Sequence, residues 1–110
     1  MLAALAGAGV TAPRVWRAPY GVEAEWTRPL ARERGLRLVG WSADTHDWRG
    51  DDAGTMLAAV EPGVRDGAIV LAHDAVGPGA TRDGCAETVA LIAPLVALAR
   101  SRGLEPEPLA

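Results

Sequence analysis

The sequence predicts an α/β chain built from parallel βα repeats, and three observations lead there. Strand-like segments alternate with helix-compatible stretches along the 110 residues, the order that parallel pairing requires. The strand candidates are nearly continuous apolar runs, Leu36, Leu38, Val39 and Trp41, then Ala68, Ile69, Val70 and Leu71, as expected of strands covered on both faces. Glycine and proline fall where helices should stop, at Gly35, Pro62-Gly63 and Gly103, because neither residue continues a helix cheaply.

Taken in order, the Ala- and Leu-rich start from Met1 to Val10, with Gly9 near its end, predicts the tail of a helix. Arg14 to Arg17 is the first strand. From Val22 to Arg34 the apolar positions Ala24, Trp26, Leu30 and Ala31 predict an amphipathic helix ended by Gly35 and kinked or split by Pro29. Leu36 to Ser42 is the second strand. Asp51 or Asp52 caps a short helix starting near Ala53, and Pro62 and Gly63 end it. Ala68 to His73 is the third strand. Pro94 is expected in the first turn of a last helix that runs to Arg102 and stops at Gly103, and Leu104 to Leu109 is a weak fourth strand. Such a string makes either a self-contained parallel sheet of four strands or about half of a (β/α) barrel. In both, ligands collect where strands deliver their carboxyl ends.

The totals bound the rest. A chain of 110 residues holds one core. Eleven basic against 14 acidic residues give a net charge of -3, and the scattered charges exclude a nucleic-acid-binding surface. All the basic residues are arginine, while lysine, asparagine, glutamine and phenylalanine are absent, a skew that carries no mechanism. A lone Cys85 forms no internal disulfide and indicates no compartment. The apolar start lacks a basic flank and is shorter than a membrane span. The run from Val89 to Ala99 is also too short and carries Pro94, so no membrane span is expected.

Three strand ends carry groups suited to catalysis. Arg17-Ala18-Pro19-Tyr20-Gly21 joins a cation to a sharp turn whose backbone N–H groups can face a developing oxyanion. Trp41-Ser42-Ala43-Asp44-Thr45-His46-Asp47-Trp48 ends in carboxylates able to hold a histidine ring N–H. Ile69-Val70-Leu71-Ala72-His73-Asp74 delivers a histidine from an apolar strand into a loop of Gly77, Pro78 and Gly79, a place suited to protonating a leaving amine. Taken singly, each has a plainer use: Arg17 as a surface ion pair, Asp44 or Asp47 as a loop cap, Trp48 as core, His73 as a structural histidine. His46 is expected at the surface.

In that order, the three segments resemble the last three of the five motifs of the polysaccharide deacetylases, the NodB-homology carbohydrate esterases of family 4. Asp83-Gly84 through Thr88-Val89, Pro94 and Arg100 to Gly103 also look like the final helix of these enzymes. The resemblance implies that residues 1–110 are the C-terminal portion of such a domain, about half of a distorted (β/α) barrel. It implies hydrolysis of the N-acetyl group of GlcNAc- or MurNAc-type sugars. Arg17 would orient the catalytic base, the Tyr20 amide would hold the tetrahedral intermediate, Asp47 would tune the histidine, and His73 would be the acid. Trp48, Leu71 and Pro19 would line the substrate groove. Ala18 stands where the motif commonly has proline.

The family's first two motifs, Thr-Phe-Asp-Asp-Gly and His-x-x-x-His, supply its divalent metal, usually zinc, and its base. Neither occurs in this sequence. A bound metal lowers the pKa of water from about 15.7 to about 7. General acid catalysis contributes about 10² to 10⁴ in rate and one oxyanion donor about 10² to 10³, too little for amide hydrolysis without the metal. The chain is therefore expected to be inactive alone. Its expected partners are an acetylated glycan of the chitooligosaccharide or peptidoglycan type and a missing N-terminal half or a second copy, because half a barrel leaves an open strand edge. Two other readings are a noncatalytic remnant that binds glycan or a partner chain, and a small metallohydrolase with an ion among Asp44, His46, Asp47 and His73. The resembling family is often exported or associated with the cell wall, but the sequence contains no signal peptide of its own.

Overall fold

The computed structural model describes residues 7–9, 11 and 13–109. The helix expected from Met1 to Val10 therefore falls largely outside the described residues. The chain divides into two compact units, residues 1–40 with 108–110, and Trp41–Glu107.

In the first unit, β1 (Val15–Trp16) pairs in parallel with β2 (Arg37–Leu38). The amides of Arg37 and Val39 donate to the carbonyls of Arg14 and Trp16 at 2.8 and 2.9 Å. Between these strands lie a 3₁₀ turn, Pro19–Gly21, and helix α1, Thr27–Glu33. The helix starts five residues later than the apolar pattern suggested. Pro29 lacks an N–H, so it is tolerated only in a first turn, where that group has no helical partner. Thr27 fixes the start: its hydroxyl accepts the Ala24 amide at 2.9 Å. At the other end Gly35 takes φ 64°, and the amides of Leu36 and Gly35 reach back to Ala31 and Arg32, the paired closure that a left-handed glycine permits.

In the second unit, β3 (Ala43–Asp44) pairs in parallel with β4 (Val70–Leu71). Helix α2 is Ala53–Val60, followed by a 3₁₀ turn at Glu61–Gly63, and helix α3 is Ala86–Ser101. Asp52 caps α2 by accepting the Thr55 amide at 2.9 Å. The core gathers Ala43, Val60, Val64 and Ala99, with Val70, Leu95, Leu98 and Leu104 packed against it; Met56 and Leu91 are fully buried. Gly63 lies so near β3 that an added Cβ would stand 2.9 Å from the Ala43 Cβ.

Three expectations are corrected. The run Leu36 to Ser42 is not one strand: ladder pairing occurs at Arg37–Leu38 with β1 and at Ala43–Asp44 with β4, with Gly40 between, and glycine weakens a strand interior. Leu104 to Leu109 forms no strand, since Pro106 and Pro108 remove two of the amides a ladder needs. Helix α3 begins at Ala86, with Pro94 inside it rather than in its first turn. Its inward positions Thr88, Leu91, Leu95, Leu98 and Ala99 keep helical spacing across the proline. Their burial offsets the roughly 3 kcal/mol that an interior proline costs.

Both small sheets are parallel and alternate with helices, as the apolar patterning predicts for an α/β chain. Among the described residues, no helix is long and apolar enough to cross a membrane.

Candidate active site around Asp47 and His73

The site is built where β3 and β4 end side by side. Thr45, just past β3, is buried, and its hydroxyl donates to the Leu71 carbonyl at 2.8 Å while accepting the Asp47 amide at 3.3 Å. This ties the loop after β3 to the last residue of β4. Asp44 caps the bend by accepting the His46 amide at 2.8 Å, so His46 adopts φ 51°. A 3₁₀ turn, Asp47–Arg49, follows and closes at Gly50 with φ 87°.

Asp47 points inward, with its side chain wholly removed from solvent. Its carboxylate receives four donors. Oδ1 accepts the His73 Nδ1–H at 2.7 Å, and Oδ2 accepts the His73 backbone amide at 2.9 Å, Arg82 Nη1 at 2.8 Å and the Thr88 hydroxyl at 2.9 Å. Burial alone would raise the carboxyl pKa. The ring and backbone of His73, the Thr88 hydroxyl and the Arg82 charge outweigh it and bring Asp47 from 3.8 down to about 2. Asp47 is therefore an anion at neutral pH and can only accept hydrogen bonds. The proton between it and His73 belongs to Nδ1, which leaves Nε2 as the working nitrogen of a ring whose side chain is 44% exposed.

Arg82 completes the group. Nη1 also donates to the Thr88 hydroxyl, and Nη2 donates to the carbonyls of His73 and Ala75 at 3.1 and 2.9 Å. Thr81 holds the adjoining turn: its amide donates to the Trp48 carbonyl and its hydroxyl to the Arg49 carbonyl, both at 2.8 Å. Trp48 is not core. The residue is 39% exposed, the Arg49 guanidinium lies 5.1 Å from its ring centroid, and the His46 ring stands 6.4 Å away.

The second unit thus brings together Asp47 and His73, with Trp48 adjoining and Leu71 buried at the end of β4. Arg17, Pro19 and Tyr20 lie in the first unit. Arg17 is exposed at the end of β1 and engaged in an interaction of its own. Tyr20 is 85% exposed and takes φ 56°. In its turn the Gly21 and Val22 amides bond to the Ala18 and Pro19 carbonyls, whereas the Tyr20 amide makes no hydrogen bond among the described residues.

The part that Arg82 and Thr88 play in the site escaped the sequence reading. Arg82 sits in a loop with no pattern around it, and its burial is tertiary. Thr88 could have been found, since a polar residue on the inward stripe of α3 needs a buried partner. His46, expected at the surface, is half-buried because the Asp44 cap turns it back toward β3. Among the described residues no group of three or more His, Cys, Asp or Glu side chains could hold a metal ion. The metal reading of Asp44, His46, Asp47 and His73 is therefore set aside: Asp47 spends its oxygens on four donors, and His46 turns toward Asp44.

At the end of a parallel strand pair a buried, ionised aspartate holds a half-exposed histidine, an arrangement able to hold and deliver a proton, and comparison with known proteins shows what the chain resembles. No family model matches the chain. It is 35% identical over 103 residues to a chitooligosaccharide deacetylase of Bradyrhizobium sp. (strain ANU 289), covering 88% of this chain and 47% of that protein. It is 44% identical over 62 residues to the peptidoglycan-N-acetylglucosamine deacetylase PgdA of Listeria monocytogenes, covering 56% of this chain and 13% of that one. A family 4 carbohydrate esterase from Streptomyces lividans, solved in complex with acetate, superposes with a TM-score of 0.80 at 28% identity, over 99% of this chain and 52% of that structure. In sequence and in fold the chain resembles the polysaccharide deacetylases of carbohydrate esterase family 4. It spans about half the length of the chitooligosaccharide deacetylase it matches, and less of PgdA.

Proposed function

We propose that residues 1–110 are the C-terminal portion of a polysaccharide deacetylase domain, about half of a distorted (β/α) barrel, carrying the proton-donating side of its active site. The reaction is hydrolysis of the N-acetyl group of a GlcNAc- or MurNAc-type sugar, giving acetate and the free amine. The observation that supports it most is the 2.7 Å bond from His73 Nδ1 to a buried, ionised Asp47.

In this reading His73 works as the general acid. When the tetrahedral intermediate collapses, the C–N bond breaks and its electron pair goes to nitrogen. The proton on His73 Nε2 moves to that nitrogen, so the ring ends neutral with Nδ1–H still on Asp47. Asp47 keeps the same nitrogen protonated before and after the transfer. By the resemblance, the Tyr20 amide would donate to the oxyanion, Arg17 would orient the base, and Trp48, Leu71 and Pro19 would contact substrate.

The residues described here do not fit the divalent metal of the family, zinc in most members. That ion and the base belong to motifs this sequence lacks, and no step is assigned to them. This chain alone has no turnover. Purified with zinc or cobalt it should release no acetate from chitooligosaccharide or peptidoglycan, and metal-dependent release would overturn that part of the reading. Joined to the metal-bearing segment of the Streptomyces lividans esterase, it should release acetate, and His73→Gln should lower the rate by about 10² to 10⁴. A folded fusion without activity would refute the deacetylase assignment.

The exposed Trp48 ring beside Arg49 favours one alternative, a noncatalytic module that binds glycan or a partner chain. Glycan binding by this chain, lost on Trp48→Ala and present without turnover in the fusion, would decide for it.

A further inference from the structure

We infer that Arg82 is a positioning residue: acting through Asp47, its fixed positive charge sets which nitrogen of His73 carries the proton. The role rests on the proposed use of His73 as an acid, but the structural reasoning needs only the second unit.

Asp47 is wholly buried and His73 is its neighbour on Oδ1. A histidine is charged for only part of its working cycle. While the ring is neutral, Asp47 would be a lone buried anion unless another cation stood beside it, and isolated buried charges are costly. Arg82 is that cation: its side chain is 6% exposed, Nη1 lies 2.8 Å from Oδ2, and a guanidinium keeps its proton at every pH a protein experiences.

Two further features separate this from ordinary packing. The Arg82 Nε–H is buried without a partner among the described residues, so the site tolerates an unsatisfied donor to keep the guanidinium there. The other nitrogen, Nη2, holds the carbonyls of His73 and Ala75. One side chain thus fixes both the charge of the acceptor and the backbone that carries the ring. If Arg82 is removed, the Asp47 carboxylate loses its fixed counter-charge and its anchor on Oδ2 and can turn away from the ring. The neutral ring is then free to move its hydrogen from Nδ1 to Nε2, the form that a general acid must not relax into after giving up its Nε2 proton.

The readout is spectroscopic and needs no substrate. In the ¹⁵N-labelled chain at pH 9, long-range ¹H–¹⁵N correlations should show His73 almost wholly as the Nδ1–H form. Arg82→Met should lower the ratio of Nδ1–H to Nε2–H forms by about tenfold or more, the scale of one charge-assisted hydrogen bond. Arg82→Lys, which keeps the charge without the fork, should retain most of the ratio, and His46 should not change in either variant. A folded Arg82→Met protein with the original ratio overturns the inference. Should Arg82→Met fail to fold, Arg82→Gln, which keeps donors without the charge, decides: a mixed ring upholds the fixed-charge role, and an unchanged ratio overturns it. Because no acetate is measured, failure here is distinct from failure of the deacetylase assignment, which the fusion assay reads.

Discussion

The depressed pKa of Asp47 makes a stability claim that acid titration can test. The carboxyl goes from an ordinary 3.8 to about 2 on folding, a difference worth about 2 kcal/mol. Because the folded value is the lower one, this stabilisation is complete above the unfolded value. It disappears as pH falls from about 5 to below 2, where Asp47 is protonated in both states. The group is removed from solvent, so the figure needs no discount for screening. Asp47→Asn abolishes the titration. It also leaves Arg82 buried without its counter-charge and sets an amide N–H against donors, costing about 3–5 kcal/mol near pH 7. Urea unfolding at pH 7, 5, 4, 3 and 2 should therefore show the two proteins converging by about 2 kcal/mol as the solution is acidified. Other carboxylates titrate equally in both and cancel in the difference. Parallel stability profiles would refute the placement of an ionised Asp47 at the centre of this network.

Two further substitutions probe its supports. Gly63→Ala would push a methyl group to 2.9 Å from the Ala43 Cβ; the backbone of β3 must yield, and thermal melts should show a loss of about 1–3 kcal/mol, whereas a neutral result would mean that the turn moves freely. Thr88→Val keeps the volume on α3 but removes the hydroxyl that serves both Asp47 and Arg82. A loss of about 1–3 kcal/mol is expected, and an unchanged melting temperature would show that the hydroxyl is not needed.

The sequence carried the alternation of strands and helices because the apolar runs at Leu36 to Trp41 and Ala68 to Leu71 depend on local composition. Element ends were legible where a single residue enforces them, as at Gly35, Gly103 and the Asp52 cap. They were illegible where packing decides: Pro94 marks a helix start in isolation, yet the buried stripe from Thr88 to Ala99 carries the helix through it. The same division holds at the site. Asp47 and His73 were recognisable because each follows an apolar strand, and strand ends of parallel sheets gather functional groups. Arg82 was not, because nothing local distinguishes a buried arginine from the ten others.

Backbone strain points to the same segments by an independent route. Among the described residues, only Tyr20 and His46 combine a side chain with positive φ, at 56° and 51°, a conformation that costs an ordinary residue about 1 kcal/mol or more. Glycine would relieve that cost at either place, as it does at Gly35, Gly50 and Gly103. Tyr20 lies in the turn after β1, and His46 stands immediately before Asp47. At Tyr20 the strained conformation goes with a backbone amide that makes no hydrogen bond among the described residues; at His46 it goes with a turn that brings the next carboxylate onto His73. Stability alone gives no reason to keep a tyrosine and a histidine in such conformations. Turns that must aim a particular amide or carboxylate at a fixed point do give one. Strain at these two positions is what the proposed roles of the two loops would require, and it was not visible in the spelling of the motifs.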